Sequence, residues 1–202
     1  MGGLGGRTDA AVIDDLVSHW SQPHRRYHTA AHLEAVLREA ASLGDELRLD
    51  DDSRAVVTLA ACAHDVVYDA RPGDDERASA EWARDALSRC DVEPGAVQRV
   101  VDLVLATITH TAEPADAAAS VLLDADLAIL AAEPAEYDAY AAAVRAEYPH
   151  VADDEWRAGR ARVLGALLDR KALFSTEPGR ARWEAQARAN VAAELNRLDH
   201  DD

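Results

Sequence analysis

Apolar positions along this chain recur three and four residues apart, and sustained alternation with a period of two is absent. That pattern predicts helices and no sheet. The punctuation between apolar runs sets the expected elements. A first helix covers 9–20 and is stopped by Ser21-Gln22-Pro23. Thr29 can cap a second that runs to about Leu43, before Gly44. Ser53 can cap a third that runs through His64, and Arg71-Pro72-Gly73-Asp74 reads as the loop after it. A fourth covers about 76–89, opened by Asp74 or Asp75. Pro94 suits the first turn of a fifth that reaches His110. Later helices are expected at about 116–131, 134–147, 153–173 and 179–198. The last two are amphipathic and long enough to lie across the others. The expected fold is therefore all-α, in one domain of residues 9–202 behind a flexible glycine-rich lead of residues 1–8, with helices 153–198 packing on the core.

Composition narrows the picture. Nearly half of the 202 residues are apolar (49%) while aromatics are few (5%), which suits helices packed closely through small side chains. The formal net charge of −17 argues against a partner that is a nucleic-acid polymer or an anionic membrane. A small phosphorylated substrate remains compatible, because a few arginines can focus positive potential inside a cleft. Lys171 is the only lysine, so anion recognition falls to arginine. Cys62 and Cys90 make no disulfide framework, and Cys62 sits in an apolar run as a small core residue. The start of the chain has no apolar signal-peptide core, and position 6 is Gly where myristoylation needs Ser or Thr. No apolar stretch is long and charge-free enough to span a bilayer. A cytoplasmic protein is the expectation, and a homodimer is compatible with the sequence.

Charges inside apolar helices carry the chemistry. From Ala55 to Ala63 every residue except Thr58 is apolar, and the run leads directly into His64-Asp65. A charge at the end of a buried helix is costly unless it is paired or bound to a metal. The same conflict recurs at Leu123-Asp124-Ala125-Asp126-Leu127. Helical positions two apart point roughly 200° apart, so only one of these two aspartates should face a given site. His28 and His32 stand four apart on one face at the start of the second helix. Imidazole with carboxylate suits Mn, Fe, Co, Ni or Zn better than calcium, and Mg is also considered, as one ion or two. His110, closing an apolar helix, could meet a second metal or a phosphate.

A lone His, a His-Asp dipeptide ending an apolar helix and a distant Asp, in this order in an all-α chain, resemble the HD-domain superfamily of metal-dependent phosphohydrolases. Arg26-Tyr27-His28-Thr29 with His32, Ala63-His64-Asp65-Val66-Val67-Tyr68-Asp69, Asp75-Glu76-Arg77 with Ser79-Ala80, and Leu123-Asp124-Ala125-Asp126-Leu127 are similar to one uncharacterised subgroup, usually labelled predicted HD phosphohydrolases. Ala187-Arg188-Ala189-Asn190-Val191 resembles the subgroup's closing motif, so the likeness covers almost the whole chain. It implies an orthogonal helical bundle of the HD type. It also implies that His32, His64, Asp65 and Asp126 hold the metal, with Asp126 preferred because the last ligand usually follows an alanine. Asp124 would then face the core or support a ligand.

The resemblance further implies a water activated by the metal and a polarised phosphoryl group. Asp69 and Glu76 are the expected residues for positioning that water or protonating the leaving group, and Arg26, His28 and His110 for holding phosphate. Glu76 has a simpler role open to it at a helix N-terminus. Arg188 and Asn190 read as braces for the last helix. Alarmone hydrolases of the superfamily carry Glu-Asp where this chain has Tyr68-Asp69, and the His-Asp-x-Gly-Lys signature of cyclic-dinucleotide phosphodiesterases is absent. The expected activity is hydrolysis of a phosphomonoester or phosphoanhydride of a nucleotide or related small metabolite. The alternative is a non-catalytic nucleotide-sensing module with a structural metal. Paired Glu-x-x-His motifs of a di-iron bundle are missing, since Pro149 interrupts Glu147-Tyr148-Pro149-His150.

Overall fold

The computed structural model describes residues 4–200, and residues 1–3 of the expected lead and 201–202 lie outside the described part. Among the described residues the chain forms an all-helical single-domain bundle with no strand. In chain order the helices are α1 (Ala10–Trp20), α2 (Ala30–Glu46), α3 (Asp51–Ala63), α4 (Asp74–Arg89), α5 (Pro94–Ala106), α6 (Ala117–Leu127), a 3₁₀ turn (Ala128–Ala131), α7 (Pro134–Ala146), α8 (Asp153–Leu168) and α9 (Glu177–His200). No described helix is long and apolar enough to cross a membrane.

Most boundaries follow the sequence, and the exceptions have local causes. The α3 helix begins at Asp51 because the carboxylate of Asp50, not Ser53, caps it by accepting the Ser53 N–H at 2.7 Å. Gly44 is buried and does not stop α2, which runs on to Glu46. The α5 helix ends at Ala106 rather than at His110, whose φ of +46° is left-handed. The α8 helix ends at Leu168, short of Leu173. Beyond it the N–H groups of Leu173 and Phe174 donate to Glu184, and those of Ser175 and Thr176 to Asp124. Side-chain acceptors have replaced the helical ladder there. The expected flexible lead is docked where it is described. Gly5 bridges Val92, the Arg7 N–H donates to the Cys90 carbonyl at 2.7 Å, and the Arg7 guanidinium meets Asp91.

Two apolar cores build the molecule. The larger joins α2–α6 through side chains such as Val36, Leu43, Val57, Val100, Leu103 and Leu122. The smaller joins the 3₁₀ turn and α7–α9 through Leu130, Tyr137, Leu164, Phe174, Ala187 and Val191. Asn190 ties α9 to the 3₁₀ turn by donating to the carbonyls of Leu130 and Ala132, and Arg188 donates to those of Leu168 and Arg170, so both act as braces. The seam between the two cores is where the polar residues collect.

Candidate metal centre

Three helix ends aim their side chains at one buried point. His32 comes from the first turn of α2, His64 caps the C-terminus of α3, and Asp126 lies in the last turn of α6. His32 and His64 are buried. His32 Nε2 lies 3.3 Å from His64 Nε2 and 3.2 Å from Asp126 Oδ1, and His64 Nε2 lies 3.5 Å from the same oxygen. Asp65 joins from the turn after α3, its Oδ2 at 3.1 Å from His64 Nε2 and 3.7 Å from His32 Nε2.

The donor chemistry fits a cation. Ligand bonds of about 2.1 Å place neighbouring ligand atoms roughly 3.0–3.4 Å apart, near the spacing found here. The other nitrogen of His64, Nδ1, faces the Ala61 carbonyl at 2.8 Å and must donate to it. Neutral His64 therefore points an unprotonated Nε2 at the centre, the tautomer that a metal requires. His32, His64 and Asp126 together form a group that could hold a metal ion.

The electrostatics agree. Burial lowers the pKa of His32. Burial acts the same way on His64, but Asp65 and Asp126 outweigh it and raise its pKa well above the usual imidazole value. Burial would raise both carboxylates, yet Asp65 is pulled down mainly by His64, and Asp126 by His110, His32 and His64. A centre that holds a proton between two imidazoles and two carboxylates could hold a cation in its place, in competition with that proton.

His110 holds Asp126 from behind, its Nε2–H donating to Oδ2 at 2.8 Å. The left-handed backbone that aims this ring is clamped by Arg170, which donates to the carbonyls of Thr109 at 2.8 Å and His110 at 2.9 Å. A non-glycine residue fixed in this region costs about 1–3 kcal/mol and marks a position the surroundings enforce. Asp124, two residues before Asp126, turns the other way. It is buried and accepts the N–H groups of Ser175 and Thr176 at 2.7 and 2.8 Å, ahead of α9.

A cavity of about 390 Å³ opens beside the centre. Asp65, Asp126, His28 and His110 border one end of it, with Tyr27, Tyr68 and Tyr148 around them. His28 is stacked on Tyr68 at 4.1 Å and donates from Nδ1 to Glu147 Oε2 at 2.7 Å, which leaves Nε2 3.9 Å from Asp65 Oδ2.

The remaining candidates divide. Glu76 borders the cavity, but its Oε2 accepts the Gly73 N–H at 2.5 Å and so stabilises the start of α4. Asp69 is exposed and is not brought to the cavity. Arg26 is not brought there either. It is exposed and folds its guanidinium back onto the carbonyls of Pro23 and Arg25, because the N–H groups of residues 26–28 are pinned from below.

Three residues that matter here were outside the expected set. Glu147 does the pinning: Oε1 accepts the N–H groups of Arg26, Tyr27 and His28 at 2.6, 2.8 and 3.0 Å. Burial would raise its pKa, but His28 and these N–H groups bring it down to about 2. Arg25 is the buried arginine of the pair, donating to the carbonyls of His28, Asp65 and Val66 and so locking the two ligand-bearing segments together. Asp75 accepts the N–H groups of Asp69 and Arg71 and shapes the loop after Tyr68. Each of these contacts links the chain to backbone groups, which leaves no pattern of side-chain types to read. Arg25 and Asp75 stand in polar stretches and Glu147 at a polar helix end, so no local contradiction singled them out. Comparison with protein-family models, with curated proteins and with solved structures gives no match to this chain.

Proposed function

We propose that this chain is a metal-dependent phosphohydrolase of the HD superfamily, acting on a phosphomonoester or phosphoanhydride of a small metabolite, nucleotides included. The observation that carries the reading is the convergence of His32, His64 and Asp126, with Asp65 beside them, at one end of an open cavity. A purely structural clamp would be sealed by its own ligands.

In this reading His32, His64, Asp65 and Asp126 hold a divalent transition metal, or Mg, as one or two ions. Such an ion supplies Lewis acidity to a phosphoryl oxygen and to the attacking water. The chain's own groups do the rest. Glu147 fixes the ring of His28 so that Nε2 faces a phosphoryl oxygen. His110 keeps Asp126 in place, and Arg170 adds positive charge beside it. Glu76 can take a proton from water with the oxygen not used on Gly73. Tyr27, Tyr68 and Tyr148 limit water at the closed end. The substrate is small and phosphorylated, neither a nucleic-acid polymer nor a membrane, and the setting is cytoplasmic.

The test is elemental analysis of protein purified without chelator or affinity metal, with Asp65→Ala in parallel. A screen of nucleotides and phosphomonoesters with Mn, Co, Ni and Mg follows. About one or two equivalents of metal and hydrolysis, both lost in the folded variant, are expected. A folded, fully active Asp65→Ala protein would sink the assignment. A second reading, a metal-stapled sensing module, draws on the way the cluster joins α2, α3 and α6. It predicts metal uptake with no hydrolysis of any ester.

A further inference from the structure

The half of the cavity away from the metal centre differs in character from the half beside it. Its outer wall is α8, whose residues Arg160, Val163, Leu164, Ala166 and Leu167 line the space, followed by Arg170 just past the helix end. The spacing makes an apolar stripe with a guanidinium at each end. Ile129 and Val144 line the same space. Val163 is 55% exposed, a large apolar side chain left at the surface of the cavity wall. Isolated exposed apolar residues need no explanation, but this one continues a stripe into a cavity.

Several of the polar groups along this half are already engaged. Arg160 is committed to Glu194 through Nε at 2.8 Å and through a second nitrogen at 3.0 Å, and its remaining contact is the Tyr140 hydroxyl at 3.5 Å. Thr107 donates its hydroxyl to the Val104 carbonyl at 2.7 Å. Arg170 spends a donor on each of two carbonyls. A ligand ring carrying many donors and acceptors would lose its hydrogen bonds to water here and regain few of them. Charge limits the ligand as well. Asp65, Asp75, Glu76 and Asp126 face the cavity against Arg170, while Arg160 is already neutralised by Glu194, so even with one divalent ion the lining carries no surplus of positive charge. The extra negative charges of a polyphosphate would find no partner.

We propose that the ligand of this cavity is a phosphomonoester whose alcohol portion is apolar and flat, an aryl group lying along α8, rather than a nucleoside polyphosphate. The inference rests on the metal-dependent reading above and narrows its substrate class. Val163 and Ala166 are the residues that select for the aryl group, and Arg160 is a wall rather than a phosphate holder.

The experiment is calorimetric titration of the metal-loaded chain with non-hydrolysable ligands, metal being kept in excess of ligand. The probes are (1-naphthylmethyl)phosphonate, methylphosphonate, adenosine monophosphate and inorganic triphosphate. The naphthyl ligand is expected to bind roughly ten-fold or more tightly than methylphosphonate, and more tightly than the nucleotide or the triphosphate. Val163→Gln and Ala166→Gln, both at exposed positions, should each erase most of that preference while leaving methylphosphonate binding and thermal stability unchanged. Equal binding of the two phosphonates, tighter binding of the nucleotide or triphosphate, an undiminished preference in both variants, or no binding at all would each overturn the inference. Naphthyl-selective binding without hydrolysis of any ester would sink the hydrolase reading alone. Hydrolysis without aryl preference would sink this inference alone.

Discussion

Glu147→Gln tests the buried carboxylate that holds His28. The Glu147 side chain is 1% exposed and collects four N–H donors, three on Oε1 and the ring of His28 on Oε2. Glutamine keeps the shape but has a single oxygen. Its amide N–H₂ must face either the three backbone donors or the His28 Nδ1–H, and His28 can relieve the second clash only by moving its proton to Nε2. The carboxyl pKa falls from 4.5 to about 2, through His28 and the backbone N–H groups acting against burial. At 1.36 kcal/mol per unit that is about 3 kcal/mol in favour of the ionised form, and burial leaves little solvent to screen it. The variant should therefore lose about 2–3 kcal/mol at pH 7, a fall in Tm of roughly 5–10 °C for a chain of this size. Because the folded pKa lies below the unfolded one, this contribution is fully present above about pH 4.5 and disappears as pH falls towards 2. Urea denaturation of both proteins in chelator, at steps from pH 7 to pH 3, reads the difference directly. A loss under about 0.5 kcal/mol at pH 7, or an equal loss at pH 3 and pH 7, refutes the reasoning.

The other predictions concern the centre and its supports. His110→Ala frees Asp126 Oδ2 and should weaken metal binding about 10–100-fold in a competition titration while leaving the fold intact. Unchanged affinity would show that Asp126 needs no support. Asp126→Asn should weaken metal binding by more than that, roughly 100-fold or beyond, whereas Asp124→Asn should leave it within a few-fold. Asp124→Asn should instead cost about 1–2 kcal/mol of stability by urea denaturation, since burial already raises the pKa of this carboxyl and offsets part of its bonding to Ser175 and Thr176. The reverse order would mean that the ligand is Asp124. Gly179→Ala places a Cβ 2.6 Å from Asp124 Oδ2 and 2.7 Å from Thr176 Oγ1, and should cost about 1–3 kcal/mol in the same assay. A neutral result there would show that the turn into α9 yields easily.

What the sequence discloses follows from how each residue is constrained. Helices such as α1 and α4 could be placed because apolar spacing, acidic residues at the helix start and a glycine or proline breaker all act within a few residues. The ends that moved, of α5 and α8, are set by partners far along the chain. Arg170 clamps Thr109 and His110 across sixty residues, and Asp124 collects Ser175 and Thr176 across about fifty. His64, Asp65 and Asp126 were legible because a charge in an apolar helix is a local contradiction that only a partner can resolve, and His32 because it stands four residues from His28 on one helical face. Glu147 stood in a polar context at a helix end, where an acid needs no special reason. Arg26 shows the opposite failure: the right residue type in a suggestive motif, turned outward because Glu147 fixes the backbone beneath it.

Asp124 and Asp126 explain why the two cores and the centre belong to one device. Both sit in the last two turns of α6, where the chain passes from the larger core into the smaller. Their opposite directions follow from helical geometry alone. Asp126 reaches back to His32 and His64 on the helices of the larger core, and Asp124 reaches forward to the start of α9 in the smaller one. The α9 helix is braced in turn against the 3₁₀ turn by Asn190, and through Arg188 to the carbonyl of Arg170, the residue that holds His110 against Asp126. The contacts close a ring from Asp126 through Asp124, α9, Arg170 and His110 back to Asp126. Asp126 and α9 are thus joined by contacts on both sides of the seam. That makes the C-terminal helices part of the centre's support rather than a separate cover.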